Sequence, residues 1–178
     1  MAYVAPTVRS VGDAVTAADY NIMANDVIAL RDSIVRLDTQ TRTTEYTSTV
    51  TTIAGASDVF ATDVTFTADG TSAYIVEFFC CDMVQPATND VKASVHLVTG
   101  AGTGLGNMVA FMGIGNANTL GISVYSVFSY TPSAGSTSIN IRGVINAAGT
   151  MRLRGGTGGS GLEDYVPTRL SVYGGKLT

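Results

Sequence analysis

The chain has 178 residues, a length that makes one domain plus an appendage. Charged residues are only 13% of it, against an average of about 25% in globular proteins, while 46% is apolar and the mean hydropathy is +0.27. Net charge is −4 and the isoelectric point about 4.7, so no diffuse positive field exists to gather phosphates, and nucleic acid is not expected as a partner. The surface must be built from Thr, Ser, Asn and Gly, and so weakly charged a surface guards poorly against self-association.

The opening "MAYVAPTVRSVGDAV" lacks a basic start, an apolar core and a small-residue cleavage site, so no signal peptide is expected. No run reaches the length of a membrane span, and no membrane insertion is expected. Residues 1–15 have no sustained period and read as an extended anchoring arm that needs a surface to dock on. A helix is predicted over residues 16–38. Thr16 followed by Asp19 forms a capping-box pattern, and Val15 and Tyr20 stand where a hydrophobic staple would close.

Within that helix Tyr20, Met23, Val27, Leu30, Ile34 and Leu37 recur at intervals of 3 and 4, an a/d seam and the candidate oligomer or docking interface. Asp26 at g precedes Arg31 at the next e, the placement of an interchain ion pair. The same spacing serves an amphipathic helix lying on its own domain. Under three heptads, the seam needs help from a folded partner. Ile28 and Val35 widen the apolar face, which points to a second contact surface.

From Asp38 the pattern becomes β-branched, with a linker at 39–45 and a β domain over 46–178. "SDVFATDVTFTA", "SAYIVEFFCCDMV", "DVKASVHLVT", "NMVAFMGI", "TLGISVYSVFSYT", "STSINIRGVIN", "TMRLRG" and "YVPTRLSVYGG" read as short strands separated by Gly, Pro, Asn and Ser loops. Their number and spacing predict a mainly β chain whose domain is an antiparallel sandwich or jelly roll. "SAYIVEFFCCDMV" is apolar on both faces, so it is central or lies where another subunit packs, and "MVAFMGI" invites the same reading. Cys80 and Cys81 are adjacent in a strand, point to opposite faces and are expected reduced, which fits synthesis in a cytoplasm.

Catalytic chemistry finds little support. "GAGTGLG" fails the dinucleotide pattern, because the third required glycine falls on Leu105 or Asn107, and a hairpin loop is expected instead. "RGGTGGSGLEDY" lacks the Lys-Ser or Lys-Thr of a phosphate loop. The single histidine, His96, has no second His for zinc, and no Gly-x-Ser-x-Gly elbow surrounds any serine. Glu163 and Asp164 are expected to be solvated neighbours. No cofactor or metal is expected, and the chain is read as a non-enzyme. Tyr125, Phe128 and Tyr130 lie in one strand and Tyr165 and Tyr173 flank the last one; such aromatics stack on sugars or make protein contacts, although core packing uses most of them.

The stretch "AYVAPTVRSVGDAVTAADYNIMANDVIALRDSI" resembles the opening of small bacteriophage virion proteins, through Ala5, Pro6, Thr7, Arg9, Gly12, Asp13, Val15, Thr16, Ala17, Ala18 and Asn21. The closing strands are similar to those of trimeric jelly rolls on phage fibres and head appendages, related in shape to the tumour-necrosis-factor-like fold. The resemblance implies a virion component, a homotrimeric fibre, spike or decoration protein. It would be held to other virion proteins, capsid or tail, through residues 1–38 and would display a β domain. A host glycan or receptor is the alternative partner of that domain. Val and Ile at a with Leu at d favour two strands when a coil decides alone; the β domain, with far more area to bury, is expected to decide for three.

Overall fold

The structure is a computed structural model that describes residues 35–84, 92–112, 121–156 and 167–174. Among these residues ten strands form, in the order β1 (Val35–Arg42), β2 (Tyr46–Ser48), β3 (Val64–Ala68), β4 (Tyr74–Val84), β5 (Lys92–Thr99), β6 (Gly104–Met112), β7 (Gly121–Tyr130), β8 (Gly135–Ile145), β9 (Met151–Arg154) and β10 (Thr168–Gly174). Alternating side chains in β3, "VTFTA", bury Val64, Phe66 and Ala68 and expose Thr65 and Thr67. Such alternation is the mark of a sheet packed on one face.

Strand β4 is the hub of the first sheet. β7 pairs along one edge of it, from Tyr74↔Tyr130 to Val84↔Gly121. On the other edge β10 pairs Ile75–Phe79, and β9, flanked by β2, takes over at Asp82–Val84. β1 lies outside β10. The second sheet runs β3-β8-β5-β6. With the short β2 and β9 set aside, the sheets read β1-β10-β4-β7 and β3-β8-β5-β6, all antiparallel. That strand order is a jelly roll, two Greek keys wound into a double sheet. The expectation that "SAYIVEFFCCDMV" is central holds for its place in the sheet.

Between the sheets Val76, Phe78, Leu97, Ile139, Ile141, Leu170 and Val172 are wholly buried. Tyr46 enters from one end and hands its hydroxyl hydrogen to Ser57 O at 3.0 Å while accepting Gly143 N–H at 3.3 Å. Each long side of the sandwich is closed by side chains. On one, the Asp38 carboxylate accepts Thr65 N–H at 2.8 Å and ties β1 to β3. On the other, Ser126 Oγ donates to Met108 O at 2.7 Å and the Phe128 ring lies on the backbone of Gly106, where a Cβ would collide with it.

The helix expected over 16–38 and the linker over 39–45 are corrected where the structure describes them. Val35–Arg42 is a strand paired to β10, so the β domain includes residues 35–45 and does not start at residue 46. The seam residue Leu37 sits at a register shift between Arg36 and Asp38, 42% exposed, with its Cδ1 over Gly174. Its 3-4 spacing is overridden because ladder hydrogen bonds to β10 and the β-branched Val35, Thr39 and Thr41 favour extended backbone. The arm over 1–15, the helix up to residue 34 and the seam residues Tyr20, Met23, Val27, Leu30 and Ile34 lie outside the described residues.

Candidate interaction surface

The outward face of β1-β10-β4-β7 is fixed by register. With Val76, Phe78, Leu170 and Val172 turned into the core, pairing places three rows outside: Arg36–Tyr173–Ile75–Ser129, Thr39–Ser171–Glu77–Val127 and Thr41–Arg169–Phe79–Tyr125. The β1–β10 half carries Thr39 and Thr41, with Ser171 wholly buried beneath its neighbours and its oxygen 2.8 Å from that of Thr39. The β4–β7 half is apolar. Tyr125 is 61% and Val127 52% exposed, beside the half-buried Phe79 and Ile75.

Glu77 is the one charge in that apolar half. Tyr125 reaches it diagonally across the strand pair and donates its hydroxyl hydrogen to Oε1, which fixes the ring and holds the phenol pKa above its ordinary value. The outward face of the other sheet differs in kind. Thr65, Thr67, Ser136, Ser138, Ser94, His96, Asn107 and Arg142 line it. A strap after β2 also crosses it, held where Ile53 O accepts Arg142 Nη1–H at 3.1 Å and where Arg142 pairs with Asp58 at 2.6 Å.

Loops and edges complete the picture. "GAGTGLG" is the β5–β6 hairpin, closed by Gly102 N–H to Thr99 O at 2.7 Å, with Gly102 at a φ of 84° that a side chain would resist. Its glycines answer to packing, since Gly100 lies against Asp63 and Ser138 and Gly106 against Phe128. β6 and β7 each pair on one side only among the described strands. No Asp, Glu, Lys or Arg occurs between Lys92 and Arg142, so both open edges are uncharged.

Chemistry at the remaining candidates is structural. His96 Nε2 lies 2.8 Å from Ser94 Oγ, but the residues opposite the ring are Arg142 and Asn107, so no carboxylate there orients it as a base, and the contact sits on a flat polar face. Burial lowers the histidine pKa. Cys80 is buried and Cys81 half-buried, neither in a disulfide, their sulfurs 3.7 and 3.8 Å from Arg154 O, where the neighbour of β4 changes from β10 to β9. Burial raises the Cys80 thiol pKa, which disfavours a reactive thiolate. Among the described residues no group of three or more His, Cys, Asp or Glu converges as a metal site, and no helix is long and apolar enough to cross a membrane. Glu163, Asp164 and Tyr165 lie outside the described residues.

No family model and no curated protein matches the chain. Among solved structures it is similar in outline to Eiger TNF from S. frugiperda, at 10% identity and a TM-score of 0.47 over 80% of this chain and 92% of that one. It is also matched to the carbohydrate-binding module CBM6cm-2 of Cellvibrio mixtus lichenase 5A in complex with cellotriose, at 15% identity and a TM-score of 0.32 over 78% of this chain and 98% of that one. The fold assignment rests on the strand order itself.

Of the aromatics the sequence points to, the register brings Tyr125 and Tyr173 to one face, while Phe128 and Tyr130 pack against the core. Of the two strands expected at an interface, "SAYIVEFFCCDMV" supplies Ile75, Glu77 and Phe79 to this face, whereas "MVAFMGI" lies in the other sheet, and Val127 has no signal of its own. The missed signal is the long uncharged run in which β7 lies.

Proposed function

We propose that this chain is a non-enzymatic structural protein of a bacteriophage particle, a small homotrimeric fibre, spike or decoration protein that displays its jelly roll. Attachment runs through the residues ahead of Val35, shortened from 1–38 now that β1 belongs to the domain. The observation that supports a structural, self-associating role is the inequality of the two outer faces. One is polar and strapped, whereas the other leaves Tyr125 and Val127 in solvent, and soluble monomers rarely leave such an apolar face bare. The N-terminal likeness to virion proteins supports the particle as its place, after synthesis in the host cytoplasm. Size-exclusion chromatography with light scattering should give three times the chain mass, and mass spectrometry of purified particles should find the chain. A stable monomer absent from particles would sink the reading.

A second reading takes the same face as a host glycan or receptor platform, because the Tyr125 ring is exposed and its hydroxyl is anchored on an acceptor carboxylate. Glycan-array binding that Tyr125→Ala abolishes would favour it. Binding by neither form would leave plain decoration.

A further inference from the structure

We infer that β1 is a detachable strand, released from β10 as a unit as far as Arg42, and that its release lengthens the tether between the jelly roll and the residues ahead of it. The tether rests on the attachment proposed above; the detachment does not. Alone among the described strands, β1 has no buried residue. Pairing with β10 turns Asp38, Gln40 and Arg42 to the side of Val172, Leu170 and Thr168, so the row of β1 that faces the core is polar. What holds β1 is the ladder, the contact of Leu37 with Gly174, the Thr39 hydroxyl on Leu170 O at 3.1 Å and the Asp38 carboxylate on Thr65 N–H at 2.8 Å. The ladder itself slips between Arg36 and Asp38, where Thr39 N–H turns to Asp38 Oδ1 at 2.7 Å. Segments with few buried apolar contacts open at a lower free energy than the whole fold.

Arg42 ends the release. Its guanidinium donates from Nε to Thr44 O and from Nη2 to Glu45 O, each at 3.0 Å, and from Nη1 to Val59 O at 2.6 Å, while lying 5.6 Å from the centre of the Tyr46 ring. The backbone of Gly155 lies so close to Arg42 O that a Cβ there would collide with it. From this corner the chain enters the core, with Tyr46 and Ser48 buried. Hydrogen bonds from a charged donor are the stronger ones, and three of them pin the corner where a polar strand gives way to a buried one. The chain therefore opens up to Arg42 and not past it. Releasing residues 35–41 adds about 25 Å of extended chain between the domain and its anchor.

Native-state hydrogen exchange of the full-length protein, read by mass spectrometry across low urea concentrations, tests the detachment. Residues 35–41 should exchange at least about a hundred-fold faster than β4 and with little dependence on urea, and protection should rise to that of β4 at Tyr46–Ser48. Exchange of 35–41 together with β4, at the same urea dependence, overturns the inference. Arg42→Met keeps the apolar stem but removes the fork, and it should extend fast exchange through Tyr46–Ser48. Protection there equal to wild type overturns Arg42 as the stop. Should that variant not fold, Asp38→Ala cuts the tie to Thr65 and should quicken 35–41 while leaving 46–48 unchanged; equal quickening of both segments, or of neither, overturns the inference. None of these readouts needs a particle. If the chain is absent from particles, the detachment stands and the attachment falls; if particles hold it while 35–41 exchange with β4, the attachment stands and the detachment falls.

Discussion

Asn140, 1% exposed, uses all of its hydrogen-bonding capacity. Its Oδ1 accepts Phe60 N–H at 3.2 Å and Ile141 N–H at 2.8 Å, and its Nδ2 donates to Phe60 O at 2.9 Å and Asp63 Oδ1 at 2.8 Å. Asn140→Leu keeps the number and branching of the side-chain heavy atoms but strands Phe60 and Asp63. Urea unfolding should therefore show a loss of about 1–3 kcal/mol, the cost of buried groups left unpaired. His96 supplies a pH signature. Its pKa is below the ordinary 6.5 because the ring is desolvated, so as pH falls past 6.5 the unfolded chain takes a proton that the folded one refuses. Melting temperature should drop with pH from that point until the folded ring also titrates, and His96→Asn should lose that part of the slope. A wild-type slope of opposite sign would contradict the assignment.

At the scale of elements, glycines decide how closely strands approach. Gly106 lets the Phe128 ring of β7 rest on β6 and close one side of the sandwich. Gly106→Val should cost about 1–3 kcal/mol through overpacking. Phe128→Ala in the same chain should recover part of that loss, because the two side chains contend for one space, and strictly additive effects in a double-mutant cycle would refute the contact. The strands themselves were legible because β-branched runs alternate and end in Gly, Pro, Asn and Ser. β1 was not, since Leu37 completes a helical spacing, and local spacing cannot register the ladder that β10 offers from far along the chain.

For the whole molecule, deleting residues 1–15 should leave the β domain folded, because every strand described lies at or after Val35, and should abolish incorporation into particles. Electrophoresis of particles assembled with the truncated chain reads this directly, and normal incorporation would remove the arm as anchor. The interaction surface was legible only in fragments. Tyr125 and Tyr173 stood out as aromatics. That they share a face with Phe79, Val127 and Glu77 follows from three strand pairings between distant parts of the chain.

By itself the sequence determined the class of the fold, the strands from "DVTFTA" onward and the low charge of the chain, because alternation, turn chemistry and composition are local or additive properties. Only the tertiary structure decided that the chain from Val35 is strand, that the glycines of "GAGTGLG" serve packing, and which face is left apolar. Each of these depends on register, and register is set where two distant segments meet.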